Sequence, residues 1–263
     1  PSGYLGVDIF FVISGFVITL SINKNHKKNF KSFISHYYEK RIKRLLPALI
    51  FYVLITSLLI CLLDPLPIHQ LRTAITSLFG ISNIYLYKSS SGYFTSSGEF
   101  NPFLQTWSLS VEEQFYLIFP FLCFFSGFVK KEKYGQKLFS FFLIIFSIIS
   151  FVWFITSFTN NENSYFLING RFWEISLGVL SYIFINSRVS LAKFIKNLPS
   201  NYLFFSLIFL VFSPFKIGFY SILLVVILTS LLIQSIKKES LSFGLLSEKK
   251  IVQLGKMSYS IYL

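Results

Sequence analysis

Asp8, Glu112, Glu113, Arg171 and Glu174 each stand inside a stretch that is otherwise apolar. A charge in hydrocarbon is costly, so such a residue either has a partner or does chemistry. Asp8 opens the run Gly6-Val7-Asp8-Ile9-Phe10-Phe11. Glu112 and Glu113 lie about 10 Å into the run that begins at Thr106, at 1.5 Å per helical residue. Arg171 and Glu174, three positions apart, share one face of a helix. Buried carboxylates can take up a proton or orient a base, and a buried Arg can hold an anionic or hydroxylated ligand. A purely structural reading pairs Arg171 with Glu174 or Glu112 to tie helices together. Several ionisable groups at similar depth exceed what one such pair needs, which favours a polar pocket opening to the outer face.

A second constellation is basic. Residues 30–45 carry Arg41 and Arg44 at i,i+3, with Pro47 expected in the first turn of the following helix. Two Arg forks suit a phosphorylated donor, whereas a belt on anionic lipid needs only charge. His26, His36 and His69 have no metal spacing and read as surface residues. Cys61 and Cys123 lie in apolar runs without a spacing motif, so no metal site or disulfide framework is indicated. No nucleophile elbow, phosphate loop or zinc motif occurs.

The elements that must position these groups are helices in a bilayer. Hydrophobic residues make up 54% of the 263 and charged residues 13%, about half the charge of a water-soluble domain. Runs near the length of about 20 residues needed to cross hydrocarbon occur at 5–22, 46–63, 106–128, 138–158, 166–186, 201–215 and 218–236. Another starts near 251. The stretch 71–87, interrupted by Gly80, Ser82 and Asn83, is either a further crossing or a re-entrant piece. Charge decides. With 71–87 non-spanning, the connections 22–45, 128–138, 186–200 and 237–250 fall on one side and carry 8, 4, 3 and 4 Lys/Arg. That sorting places them in the cytoplasm and the loops 88–101 and 159–164 outside. The buried acids and Arg171 then fall in the outer half of the membrane. The basic residues face lipid rather than nucleic acid, for which no module is visible. The reading is an all-α integral membrane protein, a polytopic bundle of about eight visible crossings with a re-entrant external segment. The chain reads as a single domain, 1–263, cut at both ends.

Five runs in this order resemble the membrane acyltransferase-3 family: GVDIFFVISGFVIT (6–19), FISHYYEKRIKRLLPA (33–48), NPFLQTWSLSVEEQFYLIFP (101–120), GRFWEISLGVL (170–180) and LGKMSYSIYL (254–263). The third is the specific one. The family includes bacterial O-acetylases of lipopolysaccharide and other glycans, with about ten crossings in the intact domain. The resemblance implies an O-acyltransferase of the bacterial inner membrane. Its donor is acetyl-CoA or another acyl-CoA, its acceptor a hydroxyl of a surface polysaccharide or lipid-linked glycan, and no cofactor is tightly held. Arg41 and Arg44 match the donor-binding arginines, Glu112 the Glu of the third motif, and Arg171 and Glu174 the later motif. Glu112 and Asp8 are the catalytic candidates, as groups that would orient a His base. Arg171, Glu174, Trp107 and Ser108 are acceptor-side candidates, with Trp107 and Tyr116 also expected to pack or anchor at the interface. The family's His and its upstream Arg lie on a helix before Gly6 in the motif order, so the fragment as such is expected to be inactive.

A transporter or flippase of a lipid-linked glycan is the competing reading, since it too uses broken helices and midplane polar groups. No internal repeat supports it. A glycan polymerase or ligase would carry several arginines in a large external loop, and the external side here is nearly free of them. The residues specify neither the acceptor, the acyl length nor the oligomeric state.

Overall fold

The computed structural model describes residues 4–24, 29–89, 101–129, 133–158, 165–185, 187, 190–213 and 218–263. Most of the loop 88–101, the turn 159–164 and His26 lie outside these residues. Among the described residues every element is helical: α1 (Leu5–Lys24), α2 (Phe30–Leu63), α3 (Ile68–Leu78), α4 (Ser82–Lys88), α5 (Thr106–Phe125) and α6 (Lys133–Phe158), followed, after a 3-10 turn (Ile168–Gly170), by α7 (Phe172–Ile185), α8 (Ser190–Lys196), α9 (Ser200–Phe212), α10 (Phe219–Ser235), α11 (Leu241–Leu246) and α12 (Lys249–Tyr262). Four are long and apolar enough to cross a bilayer: α1, α2, α5 and residues Tyr134–Ser157 of α6. Burial is inverted relative to a protein in water. Asp8 and Glu174 are 0% exposed and Arg171 1%, while Phe51, Leu58 and Leu62 on α2 are 66%, 63% and 75% exposed. Hydrocarbon is the solvent that makes this distribution stable. The protein is a multi-pass membrane protein.

Two expectations about helix bounds change. Residues 30–45 do not form a loop: α2 runs through them, and Pro47 lies well inside the helix rather than in its first turn. Lys, Arg, Glu and Leu are strong helix formers, and the tyrosines here dock on α5, so the helix persists past the one hydrogen bond that Pro47 removes. At 34 residues, α2 is about 51 Å long and overruns a hydrocarbon core of about 30 Å. Nor is 166–186 one helix. Residues 168–170 form a 3-10 turn and Arg171 precedes α7, where its Nε donates to the Tyr165 carbonyl at 3.3 Å and winds the chain back.

The chain divides into two compact units, one of Pro1–Lys24, Ser140–Ile148 and Trp173–Met257, the other of Asn25–Phe139, Ile149–Phe172 and Ser258–Leu263. In the first unit α1 and α7 cross at two glycines. A Cβ on Gly15 would collide with the Ile175 carbonyl, and one on Gly178 with the Val12 carbonyl. Small residues let helix backbones approach this closely in a membrane. Farther along both helices Asn23 Nδ2 donates to Tyr182 Oη at 2.6 Å, so the pair is parallel and their first turns lie at one end. Ser181 Oγ and Ser230 Oγ, 2.8 Å apart, link α7 to α10, and Gln234 Nε2 donates to Ser181 Oγ.

The second unit holds a re-entrant hairpin. α3 and α4 are 11 and 7 residues long, too short to cross singly. They fold back on each other around Gly80, whose φ of +65° is a left-handed conformation suited to glycine. His69, in α3 rather than a loop, meets Tyr85 Oη of α4 at 3.3 Å across the mouth of the hairpin. Leu49, Val53, Ala74 and Phe103 form a buried cluster that fixes α2, α3 and the approach to α5.

Candidate functional site

The hairpin tip lands on α5 beside the acidic pair. Gln114 Nε2 donates to the Gly80 carbonyl at 2.9 Å and to Asn83 Oδ1 at 2.8 Å, and Asn83 Nδ2 donates to the Phe166 carbonyl at 3.2 Å. Ser82 Oγ lies 2.8 Å from Ser110 Oγ and accepts from Thr106 Oγ1 at 3.0 Å. A Cβ on Gly80 would meet the Glu113 carboxylate. Gly80, Ser82 and Asn83 are the residues that break the apolar pattern of 71–87, and the polar contacts they make explain why. Gln114 and these contacts went unassigned in the sequence, where only that interruption signalled them.

Tyr52 Oη donates to the Pro102 carbonyl and accepts from Gln105 Nε2, so the start of α5 is level with Tyr52 on α2. Tyr52 stands 11 residues, about 16 Å, from the C-terminal end of α2 at Leu63. Glu112, six residues farther along α5, is therefore about 25 Å below that end. Because α5 begins well below the Leu63 end of α2, Glu112 lies toward the Arg41 end of that helix.

At that depth α5 meets the arginine helix. The Arg41 guanidinium stacks over the Tyr116 ring at 3.8 Å from its centroid and lies 5.7 Å from that of Tyr37. Tyr37 Oη donates to the Tyr116 carbonyl at 3.2 Å, and Tyr38 Oη to the Leu117 carbonyl at 2.8 Å. One turn up α5, Glu112 Oε1 accepts a hydrogen bond from Tyr116 Oη. Arg41 and Glu112, read from sequence as separate cytoplasmic and external features, are joined through one tyrosine. Tyr259 of α12 donates to the Leu45 carbonyl at 3.0 Å and lies within electrostatic range of Glu113, Glu112 and Arg44. Tyr37, Tyr116 and Tyr259 as a group went unread because aromatic residues are everywhere in this chain, with 15 Tyr and 34 Phe.

The remaining candidates spread over both units. Trp107 is fully buried, with Tyr165 and Phe166 ring centroids at 5.0 and 5.6 Å, so it packs within the protein and is not an interface anchor. Ser108 Oγ lies 2.7 Å from Tyr262 Oη. Arg171 stacks over Tyr165 at 3.9 Å, with the Phe154 and Trp107 rings at 5.5 and 5.9 Å, a setting that suits a cation out of water. In the other unit Asp8 and Glu174 are buried in the first turns of α1 and α7, at the same end of the parallel pair.

The model of the family described as an acyltransferase domain matches residues 1–263. The chain belongs to the membrane acyltransferase-3 family. Among its relatives, O-acetyltransferase OatA of Staphylococcus aureus is 30% identical over 276 residues, covering 99% of this chain and 45% of that protein. Peptidoglycan O-acetyltransferase OatA of Listeria monocytogenes is 30% identical over 279 residues, covering 99% of this chain and 44% of the relative. A Haemophilus influenzae protein without a functional name is 37% identical over 78% of this chain and 86% of its own length. The chain spans about half the length of the OatA relatives it matches. No solved structure matches it.

Proposed function

We propose that this chain forms the transfer site of an O-acetyltransferase in the bacterial inner membrane, moving acetyl from acetyl-CoA to a hydroxyl of an extracytoplasmic glycan. The observation that carries this reading is the path Arg41–Tyr116–Glu112, which runs from the basic stretch of α2 to a carboxylate inside the bundle. Acyl transfer needs exactly one donor site and one acceptor site to meet, and a membrane enzyme must make them meet within its span.

In this scheme Arg41 and Arg44 hold the phosphates of coenzyme A at the inner edge, as charge-assisted forks. The acceptor oxygen attacks the thioester carbonyl carbon and its proton leaves to a base. The C–S bond then breaks, and the departing thiolate takes up a proton. Glu112 orients that base or receives the proton itself, since the low dielectric of the site makes a held carboxylate effective. Arg171 supplies a cation for acceptor oxygens, while Trp107 and Ser108 shape the outer end of α5. Asp8 and Glu174 are acidic groups of the other unit, with no part assigned to them in this scheme. The Listeria monocytogenes relative is named as a peptidoglycan O-acetyltransferase, which makes a cell-wall glycan the first acceptor to assay.

The test is donor binding by the intact protein in detergent or nanodiscs. Arg41→Ala and Arg44→Ala should each weaken acetyl-CoA by about 10- to 100-fold, the range for a lost charged hydrogen bond. Lys at either position should restore little, since a point charge does not replace a fork. Unchanged affinity in both Ala variants would reduce the arginines to a lipid belt and remove the proposal's donor half.

A further inference from the structure

We infer that Tyr116 is a positioning residue that serves both halves of the site, its ring face setting the donor-binding Arg41 and its hydroxyl setting Glu112. The inference rests on the acetyl-transfer reading above. A guanidinium carries its five N–H donors in the plane of the group and none on its faces. With its central carbon 3.8 Å from the centroid of the Tyr116 ring, the Arg41 guanidinium is held over that ring, and its N–H donors can serve a phosphate. The hydroxyl at the far edge of the same ring donates to Glu112 Oε1, one helical turn along α5.

The ring itself is well held. Tyr116 is 6% exposed, and Tyr37, itself 4% exposed, donates to the Tyr116 carbonyl at 3.2 Å while its own ring lies 5.7 Å from Arg41. A cation over the face of a phenol also draws electron density from the ring and makes its O–H a stronger donor. Arg41 and Glu112 are therefore coupled through Tyr116, and a residue chosen only for apolar packing would need no hydroxyl at this position.

Steady-state kinetics separate the two functions. Tyr116→Phe keeps the ring face and removes the hydroxyl, so the KM for acetyl-CoA should stay within about twofold while kcat falls about 10- to 100-fold, as expected for one lost hydrogen bond to a charged group. Tyr116→Leu removes both, so it should show the same fall in kcat and a rise in donor KM of about 5- to 30-fold. Should Tyr116→Leu fail to accumulate, Tyr116→Phe combined with Arg41→Ala reads the same question. Its donor KM should match that of Arg41→Ala alone, and its kcat should fall below that of either single variant. Wild-type kcat in Tyr116→Phe overturns the hydroxyl role. A donor KM that rises equally in the Phe and Leu variants overturns the ring role. Wild-type protein that does not bind acetyl-CoA, or whose affinity is unchanged by Arg41→Ala, brings down the donor half of the acetyl-transfer reading instead, and direct binding measurements distinguish that failure from a failure of the Tyr116 kinetics.

Discussion

Glu112→Gln is the most informative single change, because the amide keeps the shape of the side chain and its Oε1 acceptor while removing the charge. Glu112 is 5% exposed and accepts from Tyr116 Oη. Turning that bond from charged to neutral costs about 1 kcal/mol, the difference between typical charged and neutral hydrogen bonds. Relief of the cost of holding a carboxylate out of water offsets it in the other direction. The net change in stability should stay within about 1 kcal/mol, a shift of no more than about 4 °C in Tm for a chain of this size. Activity should respond far more strongly. Losing a group that accepts a proton or fixes the base removes about 10²- to 10⁴-fold of rate. The assay is acetylated glycan formed per folded protein, measured beside a melting curve on the same preparation. A Gln variant with normal turnover and a normal Tm would refute any role for the charge. A variant that loses more than about 10 °C yet retains turnover per folded molecule would show that Glu112 holds helices together and nothing else.

Two further predictions concern the frame around the site. Gly178→Val should disrupt the α1–α7 crossing, where even a Cβ collides with the Val12 carbonyl, and lower stability by about 3 kcal/mol, whereas Gly244→Ala, with open space around its Cβ, should be neutral or better. Melting curves and membrane yield report both. For topology, single cysteines at Leu66 and Ser247, with Cys61 and Cys123 replaced, should label from opposite sides of the membrane, because the basic stretch at 237–250 belongs inside. Labelling of both from outside with an impermeant reagent would contradict the re-entrant assignment of α3 and α4.

The sequence showed what the solvent dictates and missed what tertiary contact decides. The apolar runs, the buried Asp8, Glu112, Arg171 and Glu174, and the broken pattern at Gly80 to Asn83 follow from the cost of polar groups in hydrocarbon, which acts residue by residue. Charge counts in the connections also gave the hairpin, since positive residues sort by side. Helix ends were harder. That α2 extends back to Phe30, and that Arg171 falls in a turn, depend on contacts made with Tyr116, Leu117 and Tyr165. The depth of α5 was not legible at all, because nothing local says that Pro102 will lie beside Tyr52 instead of beside Leu63.

That single displacement changes the chemistry available to the protein. Were α5 to start level with the Leu63 end of α2, Tyr116 would sit about 15 Å below that end and Arg41 about 33 Å, at 1.5 Å per residue, leaving no side chain able to bridge them. Sinking the start of α5 by about 16 Å brings Tyr116 to the level of Arg41, and the stacking at 3.8 Å is the outcome. The hairpin of α3 and α4 fills part of the space above the sunken end with backbone and small polar side chains, of which Ser82, Asn83 and the Gly80 carbonyl find partners on α5. Irregular backbone at membrane depth is stable only where protein or a water-filled cavity satisfies it. A short α5 under a re-entrant hairpin is thus the arrangement that lets the Arg41 cation and the buried Glu112 carboxylate share one tyrosine.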